Sequence, residues 1–456
     1  MHLLAPMSNQ FSAAIKLGDL DDYLSPANEC VVVTVPSSKP SVIKPVVSKQ
    51  ENSQSSTTVA GIALSDCLAC SGCVTSAETV LLESQSIDEL LKTVSDALEG
   101  KLFFISISSA SRRALSAQLK IPPSSVCQHV QFALTSVIPN LVVVDLSVAE
   151  AMAVFETSKS SKSRFTLSSH CPGWTCYATK VLGDSILPHL CRVKSPEQFQ
   201  GLILRHIVPR ISKNLFKKEE KNIYHILVSP CFDKKLEILR PKYNQVQMVV
   251  STTELIDLMN KAADTQSSLP QQPRVVSLCR ALGLLDSWAV SARDDSVTGG
   301  GYARAMATNS LSEIEWIPEM SKRRPNIDLL YHDFLIRSHG FRNIQNISRR
   351  VKEGKLKEGF VEIMACPGGC PKGGGQPSSE NEEKKNSNFF TRISGWFSAK
   401  KPLDSLAVDH LGPPSDFQEA MRLRTMLIQL LGDESDLESL TRTEWLPIES
   451  ISSVKW

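Results

Sequence analysis

Clustered cysteines are the residues of this sequence best suited to carry chemistry. In the run CLACSGC, Cys67, Cys70 and Cys73 are each separated by two residues. This spacing wraps one tight loop around an iron-sulfur cubane, and Gly72 lets backbone amides approach its sulfides. Zinc sites more often pair two separate C-x2-C arms. The run therefore favours a 4Fe-4S cluster, with zinc as the alternative.

The run lacks the nearby fourth cysteine that a ferredoxin adds. Cys73 is followed by VTSAE, and Cys30 is the only cysteine upstream of the run. Cys30 is therefore the natural candidate for the fourth ligand. Closing this loop costs roughly 3 kcal/mol of chain entropy plus a constant, which metal–thiolate bonding can offset.

A second set of cysteines follows three predicted strands. The strand runs TLSSHC, ILVSPC and EIMAC end at Cys171, Cys231 and Cys366, and Cys370 completes the turn CPGGC. Ligands of open α/β sheets bind beyond the carboxyl ends of strands, so these cysteines can converge. Four thiolates suffice for one 4Fe-4S cluster, and a zinc tetrathiolate is the alternative. Glycines 373–375 are expected to make room for the cluster or for a packed segment.

The elements that must position these cysteines alternate along the chain. The predicted strands are LFFISIS (102–108), LVVVD (141–145), RFTLSS (164–169), IYHILVS (223–229) and QVQMVVS (245–251), and the predicted helices are RRALSAQLK (112–120), AEAMAVFE (149–156) and TELIDLMNKA (253–262). Strand and helix in this order predict α/β layers with a largely parallel sheet.

Length and composition predict several units. A chain of 456 residues is long enough for about two or three of them. Residues 1–80 are predicted to form an N-terminal cluster segment that contains a flexible linker at 36–58. Residues 81–375 form the α/β core, 376–400 a disordered insertion, and 401–456 a C-terminal helical region and tail.

Charge and hydropathy indicate which partners and compartments to expect. The formal net charge is +2, which predicts neither a nucleic-acid partner nor an anionic membrane partner. We find no run of about 18 apolar residues, and MHLLAPMSNQ lacks a secretory signal. We therefore expect a cytoplasmic protein, and a start at Met7 would lose little.

In the reducing cytoplasm, clustered cysteines more often bind metal than form disulfides. The isolated cysteines are predicted to be small buried residues: Cys127, Cys176, Cys191 and Cys279.

Three longer motifs carry a family resemblance. SHCPGW (169–174), SPCFDKKLE (229–237) and EIMACPGGCPKGGG (362–375) resemble the signature motifs of iron-only hydrogenases, in the same order over most of the chain. With LDDYLSPANEC and CLACSGC, the sequence is most similar to the eukaryotic cytosolic iron-sulfur assembly factors related to the nuclear prelamin A recognition factor. The resemblance implies two α/β lobes with mostly parallel sheets around a buried 4Fe-4S cluster, plus a small N-terminal cluster-binding segment. It implies two clusters, one held by Cys30, Cys67, Cys70 and Cys73 and one held by Cys171, Cys231, Cys366 and Cys370.

Departures from the hydrogenase motifs favour the branch without hydrogenase activity. His170 stands where hydrogenases have a proton-relay cysteine, and Ser229 replaces a methionine. Lys234 is retained and is expected to be a surface or structural charge, while Cys370 matches the cysteine that bridges to a diiron centre. His170 is expected to be an ordinary hydrogen-bonded residue beside the cluster, and Glu362 a solvated or packing residue. No catalytic residue is predicted.

The resulting hypothesis is a non-catalytic assembly factor. It would link early cytosolic scaffold NTPases to the late iron-sulfur targeting complex, in the cytoplasm and also in the nucleus. Trp456, the last residue, resembles the aromatic end of a docking tripeptide, although Lys455 departs from that pattern. A terminal aromatic can anchor in a partner's pocket, and a frayed terminus is the alternative. The alternatives for function are an active iron-only hydrogenase and a zinc-stapled nuclear lamina interaction protein.

Overall fold

The computed structural model describes the parts of the chain that contain the predicted α/β core. The described residues are 84–96, 101–160, 165–207, 222–240, 243–265, 301–303, 306, 319–320, 327–331, 335–377 and 418–445. Several predictions fall on residues outside these ranges: the N-terminal cluster segment (1–80) with its linker at 36–58, nearly all of the insertion at 376–400, and the terminal tryptophan.

Four parallel strands form the first sheet, in the order β2-β1-β4-β5. They are β1 (Lys101–Ile107), β2 (Leu141–Asp145), β4 (Asn222–Ser229) and β5 (Met248–Ser251). Their sequences are largely continuous apolar runs, as expected where helices cover both faces of a parallel sheet. All four lie within a few residues of the predicted strands, and the predicted α/β fold with parallel sheets is confirmed.

Five strands form the second sheet, in the order β3-β9-β8-β7-β6. They are β3 (Phe165–Ser168), β6 (Glu319–Met320), β7 (Ile327–Tyr331), β8 (Leu335–His339) and β9 (Gly359–Met364). β3, β9 and β8 are parallel, whereas β7 and β6 pair antiparallel at one edge. The sequence patterns predicted β3 and β9 but not β6, β7 or β8.

Helices connect and cover the strands. They are α1 (Ile87–Asp96), α2 (Ser109–Leu119), α3 (Val126–Leu134), α4 (Ser147–Ser160), α5 (Pro172–Tyr177), α6 (Pro196–Leu202), α7 (Asp233–Glu237), α8 (Thr252–Thr265), α9 (Phe341–Lys352), α10 (Gln418–Leu431) and α11 (Glu434–Thr441). α2 begins directly after β1 because Ser108 caps it, its side chain accepting a hydrogen bond from the Ser111 N–H. Within the described ranges no helix is long and apolar enough to cross a membrane.

Three apolar cores hold the layers together. Successive side chains of β1 alternate between faces: Phe103 packs with α1, α2, α3 and α8, and Phe104 packs with α4, α6, α10 and α11. Phe360 of the second sheet enters the same core as Phe104, so one helical layer lies between the two sheets. A third core joins the opposite face of the second sheet to α5 and α9.

A buried carboxylate fastens the C-terminal helices to this middle layer. Glu156 on α4 is 1% exposed and accepts hydrogen bonds from Arg424 Nε at 2.8 Å and Arg442 Nη2 at 2.9 Å. Arg442 and Glu156 are 286 residues apart in sequence. Removing one partner of such a buried pair leaves an uncompensated charge, which is strongly destabilising.

A buried histidine joins β1 to β4. His225 is fully buried, with Nδ1 at 3.0 Å from the Gln245 carbonyl oxygen and Nε2 at 2.8 Å from Ser106 Oγ. The carbonyl can only accept, so Nδ1 carries the proton of the neutral ring. Burial lowers the pKa of His225 to about 4, so the ring is neutral in the folded protein near pH 7.

Candidate metal centre

The candidate site is a cavity at the carboxyl ends of strands from both sheets. In the first sheet the strand order reverses between β1 and β4, and such a switch point is where open α/β sheets bind ligands. Ser108 and Ser109 line the cavity after β1, and Pro230 lines it after β4. The second sheet contributes the residues that follow β3 and β9, including His170. The cavity is open at one side, and the space inside it, together with the solvent at its mouth, amounts to about 680 Å³.

All four predicted C-terminal ligands line this one cavity. Cys171 is buried, and Cys231, Cys366 and Cys370 are partly exposed. Burial raises the pKa of Cys231 well above its ordinary value, and the negative charges of Asp233 and of the other three thiolates raise it further. The thiols are thus close enough to influence one another. A metal cluster would replace their protons, because thiolates rather than thiols are its ligands.

The four thiols of the described cavity do not form a site for a single metal ion. In the part of the chain that the structure describes, no group of three or more His, Cys, Asp or Glu side chains is arranged to hold one metal ion. The donor chemistry nevertheless fits an iron-sulfur cluster, because four cysteine thiolates are its usual ligand set. Cys171, Cys231, Cys366 and Cys370 are the residues that would hold it.

Ser169 fixes Cys171 at the junction of β3 and β9. Its hydroxyl donates to the Ile363 carbonyl oxygen and accepts from the Cys171 N–H at 2.9 Å. The Ala365 N–H lies 3.4 Å from Cys171 Sγ. Hydrogen bonds to ligand sulfurs are one of the means by which proteins tune an iron-sulfur centre. The end of β9 thus positions Cys171 as well as Cys366.

The turn between Cys366 and Cys370 depends on two glycines. Gly368 and Gly369 have φ values of 74° and 78°, a left-handed backbone that glycine adopts without steric cost. The Gly369 N–H donates to the Cys366 carbonyl oxygen at 2.9 Å. This bond closes the turn and brings both thiols to the same cavity.

The glycine tract after Cys370 packs against the turn that carries Cys231. A Cβ added at Gly373 would lie 2.4 Å from the Pro230 carbonyl oxygen. The Gly375 N–H donates to that same oxygen at 2.9 Å. Of the two expected roles for glycines 373–375, the structure shows close packing against a neighbouring segment. The contact brings the third cysteine-bearing segment against the second.

Lys234 lies inside the protein. Its side chain is 3% exposed, and Nζ donates to Glu237 at 2.6 Å, to the His170 carbonyl oxygen at 2.9 Å and to Glu197 at 3.0 Å. Of the two roles expected for Lys234, the surface charge is therefore wrong, and the structure shows a buried structural charge. Burial alone would lower the pKa of Lys234, but the two carboxylates more than offset it and raise it. Burial raises the pKa of Glu197 above its ordinary value even beside the lysine, because two carboxylates share one cation.

His170 and Glu362 both contact the segment at Tyr302 and Ala303. His170 Nε2 lies 3.4 Å from Cys370 Sγ, and its ring lies 6.0 Å from that of Tyr302. Glu362 is 1% exposed and accepts a hydrogen bond from the Ala303 N–H at 3.0 Å. A solvated role for Glu362 is therefore wrong, and its carboxylate instead holds a neighbouring segment against β9.

Among the described residues, three carboxylates line the cavity. Asp233 lies within a quoted motif, but the sequence patterns did not indicate the other two, Glu150 and Glu197. Glu150 accepts hydrogen bonds from the Ser109 N–H at 3.3 Å and from the Ser109 hydroxyl. Glu197 binds Lys234. Neither carboxylate lies near a predicted ligand cysteine in sequence, so only the retained lysine could have prompted a search for a buried acidic partner.

The remaining cysteines divide into two groups. The N-terminal set of Cys30, Cys67, Cys70 and Cys73 lies outside the described residues, as does Cys279. Cys127, Cys176 and Cys191 are partly exposed rather than fully buried, and each packs against a different one of the three cores. Burial, with a smaller contribution from Asp145, raises the pKa of Cys127 to about 12, which keeps that thiol protonated and unreactive.

Comparisons with known proteins agree with the geometry. Residues 101–374 match the family model for the iron only hydrogenase large subunit, C-terminal domain. The chain is 33% identical over 434 residues to Protein NAR1 of Arabidopsis thaliana, covering 83% of this chain and 87% of that protein. It is 32% identical over 464 residues to cytosolic iron-sulfur assembly component 3 of Pongo abelii, covering 89% and 93%. A variant of the [FeFe]-hydrogenase HydA1 from Chlamydomonas reinhardtii shares the fold, with a TM-score of 0.53, 19% identity and coverage of 79% of this chain and 98% of that chain. With the described core and its three cysteine-bearing strand ends, these matches show that the chain belongs to the iron-only hydrogenase-like family.

Proposed function

We propose that this protein is a non-catalytic assembly factor for iron-sulfur proteins in the cytosol. It carries two 4Fe-4S clusters and links early scaffold NTPases to the late targeting complex. The observation that carries the proposal is the convergence of Cys171, Cys231, Cys366 and Cys370 on one cavity. Relatives named as cytosolic iron-sulfur assembly components match most of the chain, which supports the same role.

Metal analysis tests the cluster content. Two 4Fe-4S clusters require about eight iron and eight sulfide per chain after anaerobic purification or reconstitution. The oxidised protein should show broad charge-transfer absorption, and the reduced protein an electron paramagnetic resonance signal. Stoichiometric zinc without sulfide would instead favour the zinc-stapled interaction protein.

The structure also bears on the runner-up, an active hydrogenase. Ser229, at the motif's methionine position, is buried, and its Oγ lies 3.4 Å from the Cys231 N–H. Lys234 directs its donors to two carboxylates and a carbonyl. These contacts support a structural use of both positions. We expect no hydrogen evolution from anaerobic protein reduced with a viologen, and measurable evolution would favour the hydrogenase.

The proposed docking end is Trp456. An aromatic anchor at an interface contributes about 2 kcal/mol or more, so removing Trp456 should weaken binding to the purified targeting complex about thirtyfold or more. Iron content should not change. Lys455→Ala is a matched control, since Lys455 departs from the docking pattern and should contribute little. Equal binding by the truncated and full chains would contradict a docking role for Trp456.

A further inference from the structure

Two adjacent lysines on α7 are both buried, although neighbouring lysines are usually exposed. Lys234 and Lys235 are each 3% exposed. α7 begins two residues after Cys231 and is only five residues long. Each ammonium group binds a buried glutamate and a main-chain carbonyl, so the two lysines are chemically alike but face different parts of the protein.

Lys234 faces the segment that carries the first cluster ligand. Its Nζ donates to the His170 carbonyl oxygen at 2.9 Å, and its remaining donors go to Glu197 and Glu237. An ammonium group has three N–H donors, and these three acceptors use all of them. The side chain therefore joins the residue before Cys171 to the helix after Cys231.

Lys235 faces away from that segment. Its Nζ donates to Glu254 on α8 at 2.7 Å and to the Gln85 carbonyl oxygen at 2.8 Å. Gln85 returns a hydrogen bond from Nε2 to the Lys235 carbonyl oxygen at 2.9 Å. Lys235 thus matches Lys234 in burial and in partner types. Its Nζ also lies 5.7 Å from the centre of the Phe232 ring on its own turn, but none of its described hydrogen bonds reaches the segment that carries Cys171.

We propose that Lys234 is a positioning residue for the C-terminal cluster, fixing the spacing between the Cys171 and Cys231 ligands. The proposal rests on the proposed function, since it needs a cluster at the four cysteines. Cys171 follows a strand of the second sheet and Cys231 follows a strand of the first. Lys234 ties the main chain beside one ligand to the helix beside the other, with Glu197 and Glu237 holding its ammonium group in place.

The charges explain why a lysine suits this position. Two carboxylates in a buried space require a cation, and the flexible lysine stem reaches the carbonyl beyond them. A methionine of similar length keeps the apolar stem but removes the link. Residues that orient metal ligands through hydrogen bonds typically change metal affinity 10–100-fold when they are lost.

The test compares Lys234→Met with Lys235→Met in the full-length chain loaded with iron and sulfide. Both variants remove a buried ion pair and should lower thermal stability. Only Lys234→Met should release iron from the C-terminal cluster to a chelator about tenfold faster and change that cluster's electron paramagnetic resonance signal. Lys235→Met should keep the wild-type release rate and signal.

A second variant covers the case in which Lys234→Met does not fold. Adding Glu197→Gln removes one of the two carboxylates left without their lysine, and this double variant should be soluble while still showing fast release and the altered signal. Cys366→Ala, measured on the fraction of the protein that stays soluble, separates the two proposals. If it retains all of its iron, the proposed function fails; if it loses about half while Lys234→Met, or the double variant, behaves as Lys235→Met does, only the positioning role fails.

Discussion

The two cysteine sets of this chain are assembled on different scales. Cys67, Cys70 and Cys73 lie within one short run, and the proposed N-terminal cluster adds only Cys30 from elsewhere. The second set comes from three separate segments, and the hydrogen bond from Ala365 to Cys171 Sγ joins residues 194 apart in sequence. The first set is a local motif, whereas the second is a product of the fold. The fold and the second set should therefore depend on each other.

The largest effect should come from removing single ligands. Cys366→Ala and Cys370→Ala should strongly lower solubility and thermal stability, because the site joins three segments from two sheets. Cys67→Ala should leave a soluble protein with about half of the iron, since only one of the two proposed clusters is lost. Iron analysis and thermal unfolding of anaerobic protein measure both effects.

Equal loss of thermal stability in the two classes of variant would contradict the idea that only the second set and the fold depend on each other. Cys127→Ala is a control for cysteine removal as such, because Cys127 packs against a core away from the cavity. It should keep the full iron content.

Lowering the pH should reduce the free energy of unfolding by about 3 kcal/mol through His225, which lies on the strand that ends before Cys231. Its pKa is lowered by burial from an ordinary 6.5 to about 4, and each unit corresponds to about 1.4 kcal/mol. Between these pH values the unfolded state binds more protons than the folded state. The contribution of His225 to stability is therefore fully present above pH 6.5 and is lost as the pH drops toward 4. Below pH 4 this group causes no further loss.

Denaturant unfolding from pH 7.5 to 3.5 measures this contribution against His225→Gln. Glutamine can donate to the Gln245 carbonyl and accept from Ser106 without titrating, so the variant should lack this part of the pH dependence. Identical pH profiles would show that His225 does not couple acid to the strand that ends before Cys231.

A methyl group at Gly373 should cost about 2 kcal/mol, within the range for overpacking. Its Cβ would lie 2.4 Å from the Pro230 carbonyl oxygen, so two main-chain segments must separate and Cys231 must move. Gly373→Ala should therefore lose iron from the second set only. At Gly183 a Cβ meets no atom within 4 Å, and its φ is +59°; Gly183→Ala should thus add backbone strain without iron loss.

The smallest effect is an order of events in air. In the proposed N-terminal cluster, Cys30 binds together with a run of cysteines 37 or more residues away in sequence, so we expect this cluster to open more readily than the second. Brief air exposure should bleach the N-terminal cluster first. Absorbance and electron paramagnetic resonance followed over time distinguish the two clusters. Bleaching at equal rates would contradict the predicted difference in their sensitivity to air.

Sequence reasoning predicted the elements that have local signals. β1, β2 and β4 are apolar runs of ordinary strand length, and the cysteines at the ends of β3, β4 and β9 indicated the shared cavity. β7 was missed because it pairs antiparallel toward the edge of the sheet and no cysteine follows it. β8 was missed because its sequence LIRSH has only two apolar residues, although α9 connects it to the parallel strand β9. The buried position of Lys234 was missed because the spacing of its near partner Glu237 is also that of an exposed helical ion pair. Its other partner, Glu197, lies 37 residues away, and charge pairing at that distance leaves no spacing pattern.

The link between Glu156 and Arg442 has a consequence for how the protein is made. During translation α4 leaves the ribosome long before α10 and α11, yet these helices share one apolar core with both sheets. Until they arrive, one side of that core is exposed and the Glu156 carboxylate lacks Arg424 and Arg442. A message truncated before residue 418 should therefore yield a chain that chaperones retain or proteases remove, even though every proposed cluster ligand has already been synthesised.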